Sequence, residues 1–130
     1  MLYGYVADPL GWFAPLGLAG FAKAIVLGQN MPDRVIPAAR KLKAGWLKGG
    51  KKNWSWEKNR RFIRSNIAKV KAGTGQILDI GFEKTRRHGA KAIYSRETAM
   101  LKRAGLKRVD TGQRIVTSNG KTFRVYEWVP

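Results

Sequence analysis

One short segment of this sequence combines a group suited to proton transfer with several cations. Residues 84–91 contain His88, the chain's single histidine. Imidazole is the side chain whose ordinary pKa lies near neutrality, and neighbouring cations favour its use as a base. The cations of the segment are Lys84, Arg86, Arg87 and Lys91. These residue types suit proton abstraction beside a bound phosphate, although the same residues also occur in plain solvated loops.

Four residues outside this segment are candidate partners for His88 in catalysis. Metal-independent RNA cleavage needs a base for the 2′-hydroxyl, an acid for the leaving 5′-oxygen and cations for the charged transition state. Glu97 or Tyr94 is the expected partner of His88, Arg96 adds a cation, and Asp79 stands at the end of a predicted strand. A helix first-turn acid is the structural alternative for Glu97.

The charge of the chain predicts a polyanionic partner. Residues 23–130 carry all 26 Lys and Arg against seven acids, a net charge of +19. So many positive charges repel each other in the folded state, and the most common partner of such a basic protein is nucleic acid. Arg60, Arg61 and Arg64 on a predicted helix join the expected nucleic-acid contacts. An acidic protein is the alternative partner, and the two are compatible.

Composition excludes several classes of site. The chain has no cysteine, so disulfides and thiolate metal sites are excluded, and one histidine does not make a multi-histidine zinc site. A zinc-dependent nucleobase deaminase is therefore excluded. We expect neither a metal nor a cofactor. No apolar run approaches the roughly 20 residues of a membrane helix, so membrane insertion is not expected.

Hydrophobic periodicity predicts a small α/β domain. A β-branched apolar run indicates a strand, and an amphipathic pattern indicates a helix. Two alternating runs near the C-terminus indicate a hairpin. The predicted strands are 24–28, 45–47, 76–82, 106–109, 114–117 and 122–128, and the predicted helices are 30–44, 54–71 and 94–104. Asn119-Gly120 predicts a type I′ hairpin turn.

The order of these elements favours a three-layer arrangement around one mixed sheet, with an α+β fold typical of small bacterial ribonuclease toxins as the alternative. Parallel strands place sites beyond their carboxyl ends. That rule gathers residues 28–30, 79–82 and 94–97 at one edge of the sheet.

The N-terminal stretch Leu2–Gly20 contains no Lys or Arg and is rich in aromatic residues, Gly and Pro. Tyr3, Tyr5, Asp8-Pro9, Gly11-Trp12 and Pro15-Leu16-Gly17-Leu18 occur in one register. This pattern resembles the end of the core of Rhs/YD-repeat polymorphic toxins, which cut themselves after the final Leu and release a C-terminal toxin.

The resemblance implies a division of the chain into a core segment, residues 1–22, and a toxin domain, residues 23–130. It also implies an acidic immunity protein, association with an Rhs core, and delivery into a competing bacterium by a type VI or related secretion system. Asp8 matches the family's first Asp, but Ala14 stands where the family has its second. We therefore expect inefficient self-cleavage after Leu18.

A second, more diffuse pattern resembles toxin domains attached to Rhs cores. Trp56, Asn59, Asp79-Ile80-Gly81, Tyr94 and Glu97 fit it. Three functions remain open on the sequence. They are a ribonuclease toxin acting on transfer or ribosomal RNA, an ADP-ribosyltransferase-type toxin with Glu97 or Glu127 as its key acid, and a non-enzymatic nucleic-acid-binding protein.

Overall fold

The computed structural model describes residues 23–48, 52–83 and 92–130. Its described strands are β1 (Lys23–Leu27), β2 (Gly75–Asp79), β3 (Lys107–Val116) and β4 (Thr122–Val129). They form one sheet in the order β1-β2-β4-β3. β1 and β2 are parallel, whereas β4 is antiparallel to both β2 and β3. The predicted α/β class, with a mixed sheet and a C-terminal hairpin, is confirmed.

Side chains cap two of the described helical segments at their first turns. A turn of π-helix (Met31–Val35) leads directly into α1 (Ile36–Leu42), and Asn30 accepts a hydrogen bond from the Asp33 amide at 3.3 Å. Ser55 caps α2 (Trp56–Lys71) by accepting from the Lys58 amide at 3.2 Å. The third helix is α3 (Ile93–Arg103). In the part of the chain described, no helix is long and apolar enough to span a membrane.

Two hydrophobic clusters cover the two faces of the sheet. Alternate strand residues point to opposite faces. On one face, strand residues such as Ile25, Ile77 and Trp128 pack with Ile63 of α2 and Leu101 of α3. On the other face, Val26, Phe123 and Val125 pack with Val35, Ala38 and Ala39 near α1. The helices therefore form layers on both sides of the sheet, as the sequence predicted.

Three local predictions were wrong. Residues 45–47 do not form a strand, since only Gly45 makes an isolated bridge, to Ile25. The two strands predicted within 106–117 are one strand, β3, with an irregularity between Asp110 and Arg114.

The hairpin turn is not type I′, which requires a positive φ at two successive residues. Gly120 has a φ of 79°, Asn119 has no positive φ, and the Gly120 amide bonds the Thr117 carbonyl at 2.9 Å.

The buried Arg34 joins the carboxyl ends of the two parallel strands. Its guanidinium donates to four backbone carbonyls, at distances of 3.0–3.3 Å. They belong to Gln29, Ile80, Gly81 and Phe82. The Gln29 amide also bonds the Gly81 carbonyl at 3.3 Å. Residues 28–30 and 79–82 therefore meet at one edge of the sheet, as predicted.

Candidate functional site

A buried carboxylate lies at the carboxyl end of β2. Asp79 is 0% exposed. Its oxygens accept from the Tyr94 hydroxyl and the Gly81 amide, both at 2.7 Å, from Trp128 Nε1 at 2.8 Å, and from Arg108 Nε at 3.1 Å. An ionised carboxylate only accepts hydrogen bonds, so a set of four donors suits the charged form.

Strand register determines which side chains reach Asp79. In β4, Tyr126 is directly opposite Asp79, which puts Trp128 on the same face two residues on. In β3, Arg108 is opposite Trp128 and shares that face. Such direct and diagonal neighbours interact across a sheet. Gly81 adopts a φ of 78°, a left-handed conformation that glycine tolerates, as the chain turns its amide towards the carboxylate.

Arg108 is held on more than one side. Its Nε bonds Asp79, and its guanidinium carbon lies 3.7 Å from the centre of the Tyr126 ring. A Cβ atom placed on Gly81 would lie 3.3 Å from Arg108 Nη2, so the guanidinium also lies close to the turn. A guanidinium fixed by a carboxylate and an aromatic ring is already oriented before any ligand arrives.

The Asp79 cluster forms one side of an open cavity of about 640 Å³. Aromatic and cationic side chains share its wall. The aromatic ones are Phe82, Tyr94 and Trp128, and the cationic ones are Lys102, Lys107 and Arg108. The cations of this wall can hold phosphate groups, and the exposed Phe82 ring can stack with a base, whereas Tyr94 and Trp128 are buried.

Tyr94 is a hydrogen-bond donor in this site. Burial and the negative charge of Asp79 raise the pKa of the Tyr94 phenol well above its usual range. The ring of Phe82 packs edge-on against the Tyr94 ring, with centroids 4.6 Å apart. The phenol therefore keeps its proton and positions Asp79, because giving up that proton would create a second buried negative charge beside the first.

Glu97 lies one turn further along α3, between α2 and α3. It is buried and accepts a hydrogen bond from Asn59 Nδ2 at 2.9 Å. Trp54 Nε1 donates in turn to Asn59 Oδ1 at 3.4 Å. Burial raises the pKa of Glu97 to about 7, and the charge of Asp79 adds to the rise. Glu97 is not among the residues that line the 640 Å³ cavity.

The structure brings some predicted site residues together and separates others. Asp79 and Tyr94 are in direct contact, and Glu97 is near them but faces α2. Arg96 is exposed, with its guanidinium 5.3 Å from the centre of the Trp56 ring. Of the predicted nucleic-acid contacts on α2, Arg60 and Arg64 line a second cavity and Arg61 is exposed elsewhere.

Several predicted residues lie outside the described part of the chain. They are Lys84, Arg86, Arg87, His88 and Lys91 of the basic segment, and Asp8, Ala14 and Leu18 of the N-terminal pattern. Within residues 23–48, 52–83 and 92–130, no three acidic or histidine side chains are grouped so as to hold a metal ion. At the 640 Å³ cavity, the described groups placed to hold a phosphate are Lys102, Lys107 and Arg108.

Sequence reasoning missed Arg108, Lys102, Lys107 and Trp128 as site residues. The available signal was the alternation of β3 and β4, which puts Arg108 and Trp128 on one face once the register is known. Comparisons with protein-family models, with curated proteins and with solved structures found no match to this chain.

Arg108→Gln tests whether the cavity binds polyanions. We expect the affinity for a single-stranded oligodeoxynucleotide to fall about ten-fold at 0.1 M salt, with the salt slope reduced by about 0.7, as for one lost phosphate contact. Fluorescence anisotropy measures both quantities. Arg114→Gln, which removes one exposed charge from the same strand, is the matched control. Circular dichroism checks folding, and equal losses in the two variants would contradict a specific role for Arg108.

Glu97 predicts a pH-dependent stability. Its folded pKa of about 7 exceeds its ordinary value of 4.5, so the folded chain holds a proton that the unfolded chain releases between these values. The contribution of Glu97 to the free energy of unfolding is fully present below pH 4.5. It is lost as the pH rises through 7, and the loss is roughly 3 kcal/mol in total. Urea unfolding of wild type and Glu97→Gln from pH 5 to 8 measures it. If the difference between the two is flat with pH, the assignment is wrong.

Proposed function

We propose that this chain is the toxin-bearing end of an Rhs-type polymorphic toxin and that its folded domain is a metal-independent ribonuclease. The N-terminal pattern supports the first part, and the net charge of +18 supports an RNA substrate. The proposal includes delivery into a rival bacterium by a type VI or related system and an acidic immunity protein as partner.

The observation that carries the ribonuclease proposal is the mixed wall of the 640 Å³ cavity. Arg108, already oriented by Asp79, stands there beside two lysines and three aromatic rings. Preorganised cations stabilise the negative charge that develops on a phosphate during cleavage. The exposed Phe82 ring offers a stacking surface for an adjacent base, which favours unpaired RNA.

Two described residues close in sequence to the basic segment lie at this cavity. The Phe82 and Tyr94 rings contact each other at the cavity wall. His88 lies between these two residues in the sequence. The proposal therefore assigns His88 as the base and Arg108, Lys102 and Lys107 as the phosphate-binding cations.

The proposed reaction is an internal transfer at phosphorus. His88 removes the proton of the 2′-hydroxyl, and the 2′-oxygen attacks phosphorus to form a 2′,3′-cyclic phosphate. The bond to the 5′-oxygen breaks, and this oxygen takes a proton from water in the open cavity. Tyr94 does not supply that proton because its raised pKa disfavours release, and Glu97 does not line the cavity.

The described residues do not favour the ADP-ribosyltransferase alternative. Its expected acids were Glu97 and Glu127. Glu127 pairs with Leu78 in the sheet, so it faces the α1 side, whereas Glu97 lies between α2 and α3. Neither residue lines the 640 Å³ cavity. A non-enzymatic nucleic-acid-binding protein is an outcome of the experiment that follows.

Incubation of the full chain with total RNA, with and without EDTA and NAD, separates the three functions. We expect fragments with 2′,3′-cyclic phosphate ends that persist in EDTA and do not need NAD. His88→Ala should abolish them because it removes the imidazole that accepts the 2′-hydroxyl proton, while Arg114→Gln should cut normally. Cutting retained in His88→Ala rejects this base. Cutting lost in EDTA rejects the metal-independent reaction, an NAD-dependent label supports the transferase, and a salt-sensitive shift without fragments supports simple binding.

A further inference from the structure

A second cavity, of about 520 Å³, lies between α2 and α3. Its apolar part includes Ile67, Met100 and Ala104, with Trp56 also on the wall. Its cationic part consists of three arginines. They are Arg60 and Arg64 from α2 and Arg103 from α3. Apolar residues beside three arginines are unlike an ordinary solvated helix face, where positive and negative side chains are interspersed.

Only one of the three arginines has an ion-pair partner among the described residues. Arg60 bonds Glu57 at 2.5 Å, but Arg64 and Arg103 form no ion pair with any described residue. Both Arg64 and Arg103 are exposed. Like charges that converge on one groove repel each other, and a bound polyanion relieves that repulsion. The charge of this cavity therefore favours a phosphate-bearing ligand.

Helix α3 separates this cavity from the one that Asp79 supports. Tyr94, Thr98 and Lys102, spaced four residues apart, line the first cavity. Met100 and Arg103 line the second. Residues at four-residue steps share one face of a helix, and a helix with its side chains is about 10–12 Å across. The two cationic cavities are thus neighbours, with one helix as the ridge between them.

We infer that one single strand of nucleic acid crosses α3 and places backbone phosphates in both cavities. The inference rests on the proposed function and extends it, because it assigns a second phosphate subsite and a path for the strand across the helix. An unpaired strand can bend over a ridge and turn its bases towards apolar and aromatic walls. A duplex keeps its bases stacked inside and is stiff over this length.

The experiment compares short and long ligands in the full chain. Arg64→Gln/Arg103→Gln removes two charges from the second cavity, and Arg114→Gln/Lys121→Gln removes two exposed charges from the hairpin as the matched control. The probes are a trinucleotide and a 12-nucleotide strand of DNA, which lacks the 2′-hydroxyl and is not cleaved. Fluorescence anisotropy at several salt concentrations gives the affinities and the salt slopes.

We expect the first pair of substitutions to weaken binding of the 12-nucleotide strand about ten-fold or more, and to reduce its salt slope by about 1.4, as for two lost contacts. Binding of the trinucleotide should change less than about two-fold, because the first cavity suffices for it and charges beyond a Debye length are screened. The control pair should leave both probes within about two-fold of wild type.

The outcomes separate this inference from the ribonuclease proposal. Equal losses in the two double variants, equal losses for the two probes, or tighter binding of a 12-base-pair duplex would overturn the strand path. If the binding pattern holds but no RNA is cut, the ribonuclease proposal fails and the strand path stands. If wild type binds neither probe, both fail.

Discussion

A buried carboxylate has no access to water, so the protein itself has to supply its hydrogen-bond donors. Asp79, at the carboxyl end of β2, is such a group, and the elements around it are arranged to supply them. Asp79 draws its donors from a backbone turn, from α3 and from both strands of the hairpin. An unpaired buried charge costs several kcal/mol, so these elements are held in one relative arrangement. The carboxylate thus acts as a structural centre, and its effect at the surface is the fixed position of Arg108.

Under the proposed function, the charge excess of the chain attracts the polyanion that this arrangement would orient. Most basic side chains in the described part of the chain are exposed, and exposed cations attract polyanions without fixing their position. Arg108 differs because a buried acid and the Tyr126 ring hold it. Arg34 is a contrasting case, since it is buried and bonds the strand-end carbonyls. The surroundings of an arginine therefore decide its role. An exposed arginine is a cation that attracts polyanions, Arg108 is a cation held in one orientation, and Arg34 is a donor that joins two strand ends.

Periodicity and residue type predicted much of the fold, but of the described site they found only Asp79 and Tyr94. The amphipathic pattern of α2 and the β-branched run of β1 are local signals, and both elements formed. Asp79 and Tyr94 were identifiable as uncommon types near a strand end and a helix start. Arg108 was not, because it is one of 26 basic residues and only cross-strand register selects it. A slip of one residue would turn it to the other face, and the irregularity in β3 hides that register from the sequence.

The most direct test of the Asp79–Arg108 contact is the solvent exchange of the Arg108 Nε proton, measured by nuclear magnetic resonance on ¹⁵N-labelled protein. The Arg114 Nε proton, on an exposed residue of the same strand, is the internal reference. A hydrogen bond to a buried carboxylate predicts much slower exchange for Arg108 than for Arg114, and loss of that protection in Asp79→Asn. Equal exchange rates for the two arginines in the wild-type protein would contradict the account.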